Sequence, residues 1–315
     1  RLQEEKALKM IALKPLQLAA RLLLLLGVWL FTFSMVGFAQ PNSSLTEKVK
    51  ELANKHEGKV AVYIKHLESG EVTQLNADTP MPTASLIKFA IMVAAYRQVE
   101  AGKANLSTMV TLKKEDKVPG SGILTKNFSE GASFPLKDAI RLMIAYSDNT
   151  ATNLVLDQIG IATVNQIIES LGYPNTKINA KVFKGSTTSV APERTKEFGL
   201  GSTTARETVE LLEKVHQGKA VSPESCKAVL EHLKQCEDKD MLPRHLPSGT
   251  ILAQKTGAVS DARTAGGIIY FKGGPIAICV LTTGNMDKSW SRNNSAEILV
   301  GAISKLAYDH YKTSK

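Results

Sequence analysis

The chain has 315 residues, 43% of them hydrophobic and 22% charged, and a formal net charge of +9 from 39 Lys and Arg against 30 Asp and Glu. These proportions exclude a wholly disordered chain, a collagen-like repeat and a polytopic membrane protein, and the length suffices for one large domain or two smaller ones. Part of the positive excess sits in residues 1–39, and the rest is spread along the chain. No Arg/Lys cluster is interleaved with aromatics, so nucleic acid is not an expected partner.

The first segment reads as a targeting sequence. Lys14 and Arg21 follow Met10, then comes the apolar run Leu22–Phe38, and the small residues Gly37 and Ala39 precede Gln40-Pro41. Basic flank, apolar run and small-residue site make residues 1–39 a secretory signal, with the mature chain expected in the periplasm or outside the cell. An uncleaved anchor is the alternative, because the run approaches the length of a minimal membrane span. Membrane contact is expected only through this segment, and the remainder, 40–315, is expected to act as a monomer. Cys226, Cys236 and Cys279 are too few for a disulfide framework. Cys226 and Cys236 fall in one predicted helix, about 15 Å apart at ~1.5 Å per residue, beyond the ~7 Å that a disulfide spans. Three idle thiols are expected.

Helical spacing of Leu45, Val49, Leu52 and Ala53 predicts a helix over 44–56. Residues 59–65 (KVAVYIK) alternate as a strand, Glu68-Ser69-Gly70 reads as a turn, and 71–75 returns as the second arm of a hairpin. From Ala84 to about Gly218 the patterns are mostly helical: 85–100, 136–146, 149–159, 164–171 and 204–216. Polar or glycine-rich loops lie between them at 113–134 and 183–202, and the second is long enough to suggest a functional role. A helix at 224–234 precedes strands at 251–255, 266–271 and 275–283, and a helix at 296–311 closes the chain. Two early strands and three late ones, flanked by terminal helices, predict an α/β (α+β) fold. A five-stranded antiparallel sheet, from about 44–80 and 220–315, would carry an inserted all-helical part at about 81–219.

Three short motifs carry chemistry. Ser85-Leu86-Ile87-Lys88 stacks a hydroxyl and an amine on one face of the predicted helix 85–100, near an N-terminus whose free N–H groups suit a developing oxyanion. A serine nucleophile needs a base within reach, and a lysine serves when its proton is destabilised. Ser147-Asp148-Asn149, between two helices, offers a second hydroxyl for proton relay and an amide to hold a substrate amide; its bland reading is a helix N-cap. Lys255-Thr256-Gly257 ends a strand, where a cation and a hydroxyl suit a carboxylate and the glycine permits close backbone approach. Taken alone, each is compatible with ordinary caps and turns.

Together, and in this order, they resemble the class A β-lactamase family within the serine β-lactamase and penicillin-binding-protein superfamily, over about residues 44–312. Gly120-Ser121-Gly122-Ile123-Leu124, Leu142-Met143-Ile144 and Thr203-Thr204-Ala205-Arg206-Glu207 extend the likeness. The resemblance implies the fold described above, no cofactor, and a small-molecule β-lactam or peptidoglycan-like acyl substrate. It implies Ser85 as the acylated nucleophile, Lys88 as proton acceptor and Ser147 as relay to the leaving nitrogen. Asn149 would orient the substrate amide, and Lys255 and Thr256 would bind its carboxylate. The backbone N–H groups of Ser85 and Ala258, the latter just after Gly257, would form the oxyanion hole. Two lysines converging on one pocket would lower each other's proton affinity, which favours a neutral Lys88.

The family's omega-loop glutamate, in an E-x-x-L-N motif, has no match: the corresponding stretch 186–190 reads STTSV. Glu193 and Glu197 match only if the loop is rebuilt, and exposed loop carboxylates are their bland reading. Without that base an acyl-enzyme would persist. Arg263 and Arg244 are candidates for helping to bind a substrate carboxylate. The six histidines show no H-x-H or H-E-x-x-H spacing, which disfavours a zinc hydrolase. A secreted β-lactamase-like serine hydrolase is the expected function. A D,D-peptidase or esterase-like enzyme, or a slowly released acyl-trapping penicillin-binding sensor, is the alternative.

Overall fold

A computed structural model of the chain describes residues 43–312; the expected signal or anchor at 1–39 lies outside them. Helix α1 (Ser43–Asn54) leads into strands β1 (Lys59–His66) and β2 (Val72–Leu75). The helices α2 (Lys88–Glu100), α3 (Leu136–Ala145), α4 (Asn149–Ile159), α5 (Ile161–Ser170), α6 (Ala205–His216) and α7 (Pro223–Lys234) follow. Strands β3 (Ile251–Val259), β4 (Ala262–Tyr270) and β5 (Ile276–Thr283) and helix α8 (Ser295–Lys312) complete the chain.

The five strands form one antiparallel sheet in the order β2-β1-β5-β4-β3, as the strand pattern predicts. Both chain ends build it: β1 pairs with β5 from Lys59↔Thr283 to His66↔Ile276. β4 pairs with β3 so that Lys255 lies opposite Gly266 and Thr256 opposite Ala265.

The middle residues of the alternating strand β1 are buried on both faces. Val60, Val62 and Ile64 pack under α1 and α8 with Leu45, Val49, Val300 and Ile303. Ala61 and Tyr63 face the other way, into the larger core shared with the inserted helices. Helices on both sheet faces exclude water from either side of the strand, so small and β-branched residues fill both rows. Within the larger core α2 is buried on every side from Lys88 to Tyr96, as expected of a central helix rather than an amphipathic one. The three cysteines are free and buried, as expected from their number and spacing.

The predicted loop at 113–134 contains the single helical turn Leu124–Asn127, and the loop at 183–202 contains Gly185–Thr188 and Pro192–Phe198. Sequence reading missed these turns because each is too short to show a periodic apolar stripe. The last two contribute residues to the pocket described next.

Candidate active site

Ser85 sits in a tight 3-10 turn, Ala84–Ile87, and the α-helix proper begins at Lys88. The predicted helix start at Ser85 is therefore displaced by one turn. Leu86 N donates to Thr83 O at 3.0 Å, and Ala84 takes a left-handed φ of 45°. Three residues per turn eclipse positions i and i+3, so the tighter helix places Ser85 and Lys88 on one line. Ser85 remains partly exposed on the pocket side, whereas Lys88 is fully buried.

The Lys88 amine donates to Ser147 O at 2.6 Å, Asn149 Oδ1 at 2.9 Å and Ser147 Oγ at 3.2 Å. Lys255, also fully buried, reaches the same Ser147 hydroxyl at 3.1 Å and its neighbour's carbonyl, Thr256 O, at 2.6 Å. Ser147 Oγ thus bridges two lysines. Burial pushes the Lys88 pKa well below the ordinary lysine range, and the positive charge of Lys255 pushes it further, against the pull of Asp148. Burial also lowers Lys255, while Cys236 and Asp238 act in the opposite direction. The two lysines are therefore unequal: Lys88 is the one driven toward a neutral amine.

The Ser147-Asp148-Asn149 motif divides its labour. Asp148 is the N-cap of α4, accepting from Ala151 N at 2.8 Å, and its other oxygen accepts from Ile123 N at 2.7 Å and Leu124 N at 2.8 Å. The cap reading holds for Asp148, while Ser147 and Asn149 face the pocket. Asn149 donates from Nδ2 to Pro119 O at 3.0 Å, which leaves its second N–H for a ligand. Ser121 Oγ donates to Ser147 O at 2.7 Å and lies 3.4 Å from Asn149 Oδ1.

Gly257 has a specific reason to be glycine. A Cβ there would lie 2.5 Å from Thr83 O and 2.6 Å from Ser85 N, so no side chain fits between β3 and the Ser85 turn. Thr264 Oγ1, on β4, donates to Thr83 O at 2.7 Å and secures the same approach.

A cavity of about 900 Å³ opens over these groups. Ser85, Ser147, Asn149, Thr256, Gly257 and Ala258 line it, with Lys88 and Lys255 buried beneath. Its facing wall comes from the 180–200 segment: Ala180, Lys181, Val182, Phe183, Gly185, Thr195, Gly199 and Leu200. Lys181 is paired with Asp157. Four non-glycine residues among those described have positive φ, and three of them, Ala84, Ser147 and Phe183, line this cavity. Each such conformation costs about 1–3 kcal/mol, and their concentration here is the pattern of a functional site.

Other candidates are placed elsewhere. Glu193 and Glu197 are exposed on the Pro192–Phe198 turn, outside the cavity lining. Arg263 is also absent from the lining: its side chain is fully buried, pairs with Glu297 at 2.9 Å, and donates to Ser289 O at 2.7 Å and to Val259 O. An arginine already neutralised by a half-buried carboxylate is not placed to meet a substrate carboxylate. Arg244 donates to Asp240 O at 3.1 Å and packs its stem on Gly301 of α8, again away from the cavity.

Three lining residues escape sequence reasoning. Asp238 accepts from Thr256 Oγ1 at 3.2 Å and from the backbone N of Asp240 and Met241. Phe183 and Trp290 are large aromatics left 66% and 71% exposed at the cavity rim. No local pattern marks any of them; they come from loops.

The model of the Beta-lactamase enzyme family matches residues 44–311. An imipenem-hydrolysing β-lactamase of Enterobacter cloacae is 23% identical over 281 residues, covering 87% of this chain and 92% of that protein. Among solved structures, a β-lactamase from Sphaerobacter thermophilus aligns with a TM-score of 0.75 at 29% identity, covering 85% of this chain and 97% of its own. A variant of PBP-A, solved as its acyl-enzyme complex with penicillin G, aligns with a TM-score of 0.75 at 25% identity, covering 87% and 98%.

Proposed function

Because the chain belongs to the beta-lactamase enzyme family and is a serine β-lactamase-like hydrolase, we propose that it opens a β-lactam amide through an acyl-Ser85 intermediate that it releases slowly. One observation carries the reading: Ser147 Oγ lies within hydrogen-bonding distance of both Lys88 and Lys255, under a cavity lined by Ser85.

In this mechanism neutral Lys88 takes the Ser85 proton as Oγ attacks the acyl carbon. The carbon–nitrogen bond then breaks, Ser147 passes a proton from the lysine side to the leaving nitrogen, and an ester to Ser85 remains. Lys255 holds the substrate carboxylate, joined by the Thr256 hydroxyl once that hydroxyl turns away from Asp238, and the free N–H of Asn149 holds the acyl amide carbonyl. Backbone N–H groups of Ser85 and Ala258 stabilise the oxyanion, each worth about 3–4 kcal/mol in related chemistry.

Slow release follows from the facing wall. The 180–200 segment presents apolar and small side chains with Thr195 and a paired lysine, and no carboxylate to activate a water. Asp238 does reach the cavity, but it holds the Thr256 hydroxyl. The basic flank and apolar run ahead of Gln40 support an exported protein acting outside the cytoplasm.

Incubation with penicillin G followed by intact-mass measurement tests the proposal. A single penicilloyl adduct that persists for many minutes and is absent from Ser85→Ala is expected. Rapid loss of penicillin without adduct would refute slow release, and neither adduct nor turnover would refute acylation itself.

A further inference from the structure

We infer that Phe183 is a specificity-determining residue that selects substrates carrying a large apolar, preferably aromatic, group on the acyl amide held at Asn149. The inference rests on the acylation reading above and names the substrate class that the same cavity takes.

Phe183 combines two features that folding alone does not favour. Its φ of 56° is a left-handed conformation that a bulky side chain rarely adopts, and its ring is left 66% exposed. A ring held in water by a strained backbone gains neither packing nor relief, so its position calls for a contact that only a ligand completes.

The backbone around it is fixed. Asn153 exchanges a pair of hydrogen bonds with Val182, accepting from its N at 2.8 Å and donating to its O at 3.0 Å. Lys181 N donates to Thr188 Oγ1 at 2.9 Å, and Lys184 Nζ donates to Glu115 O at 2.9 Å. Asn153 lies one turn after Asn149 on α4, so both amides leave the same helical face. One amide anchors the segment bearing Phe183, and the other keeps an N–H for the substrate.

Gly120 shows how near the two groups come. A Cβ there would sit 2.7 Å from Asn149 Nδ2 and 3.2 Å from the Phe183 ring edge. A substrate amide bound to Asn149 therefore projects its substituent beside Phe183. Elsewhere on the rim, Trp290 lies 4.8 Å above the Arg263 guanidinium and lines the same cavity. An apolar group held at Asn149 meets aromatic surface, which a substrate lacking such a group leaves uncovered.

The test compares penicillin G, which carries a phenylacetyl group, with 6-aminopenicillanic acid, which has the same bicyclic nucleus and a free amine. Acylation rates of the full chain are read by intact mass for the wild type, Phe183→Gly and Phe183→Leu. Glycine takes the φ of 56° without strain, which offsets the entropy that the freer backbone loses on folding. The wild type should prefer penicillin G, and Phe183→Gly should collapse that preference by about 10-fold to 50-fold, the range that an aromatic contact and its buried area supply. Phe183→Leu should restore part of it. An unchanged ratio, whether both rates fall together or neither falls, overturns the inference while leaving acylation intact. No adduct with either compound in the wild type overturns both readings together.

Discussion

Replacing Lys88 with methionine separates the chemistry of this side chain from its stability. The lysine is fully buried, and methionine fills nearly the same volume, so the packing of α2 should survive. Three hydrogen bonds disappear, at about 0.5–1.5 kcal/mol each. Two of the deserted acceptors, Ser147 O and Asn149 Oδ1, keep Ser121 as a neighbour at 2.7 and 3.4 Å. Against the loss stands the penalty of a buried amine, about 1.4 kcal/mol for each unit by which its pKa is depressed. The two act in opposite directions on the stability of the variant. The pH dependence has a definite sign. Between the depressed pKa of Lys88 and the unfolded value near ~10.4, the unfolded chain holds a proton that the folded chain lacks. Wild-type stability therefore rises with pH in that window by up to about 1.4 kcal/mol per unit, is complete above it, and is lost as pH falls through the folded value. Lys255 contributes its own slope to both proteins and cancels in their difference. Urea titrations at about pH 8 and about pH 10 should show the wild type gaining on Lys88→Met, while penicillin acylation falls by about 10²–10⁴-fold. Parallel pH profiles, or acylation within about tenfold of wild type, would refute the assigned role of Lys88.

Gly257→Ala should lower stability by about 1–3 kcal/mol and slow acylation, since the added carbon meets Thr83 O and Ser85 N; a normal acylation rate would show the approach to be uncritical. Arg263→Met strands the Glu297 carboxylate and should cost about 3–5 kcal/mol in urea unfolding, with Glu297→Leu in the same chain recovering most of it. If the double variant is as unstable as the single one, the ion pair is not the cause. Glu193→Gln should leave the decay of the acyl adduct unchanged, because the carboxylate is exposed outside the cavity; an adduct that outlives the wild type's several-fold would make Glu193 the base that activates water.

The sheet was legible because strand-length apolar runs at both chain ends leave only one economical way to pair. The alternation of β1 marked it as a strand but did not reveal that a second layer covers its outer row. At the site, Ser85, Lys88, Ser147 and Lys255 were legible as three motifs, but the 3-10 turn was not, since a spacing of three suits both helix types. Arg263 shows the limit more sharply. An arginine near a strand that lines a pocket looks the same in sequence whether it meets substrate or a half-buried glutamate, and that glutamate lies on α8, far along the chain. Phe183 and Trp290 were invisible for a related reason: loop aromatics carry no periodicity, and only the backbone conformation and exposure set them apart.

The pairing of β1 with β5 has a consequence for the life of the chain before it becomes an enzyme. Ser85, Lys88 and Ser147 are all synthesised before Lys255, and the strand carrying Lys255 is held in a sheet whose central pair joins the first strand to the last. Contacts of such long sequence separation form late and slowly. A nascent chain emerging residue by residue therefore carries Ser85, Lys88 and Ser147, the proposed nucleophile, base and relay, without Lys255, Ala258 or the strand that bears them. The arrangement keeps the protein chemically silent until the last segments have emerged, so a chain delivered across a membrane in the unfolded state would acquire its reactivity only on the far side.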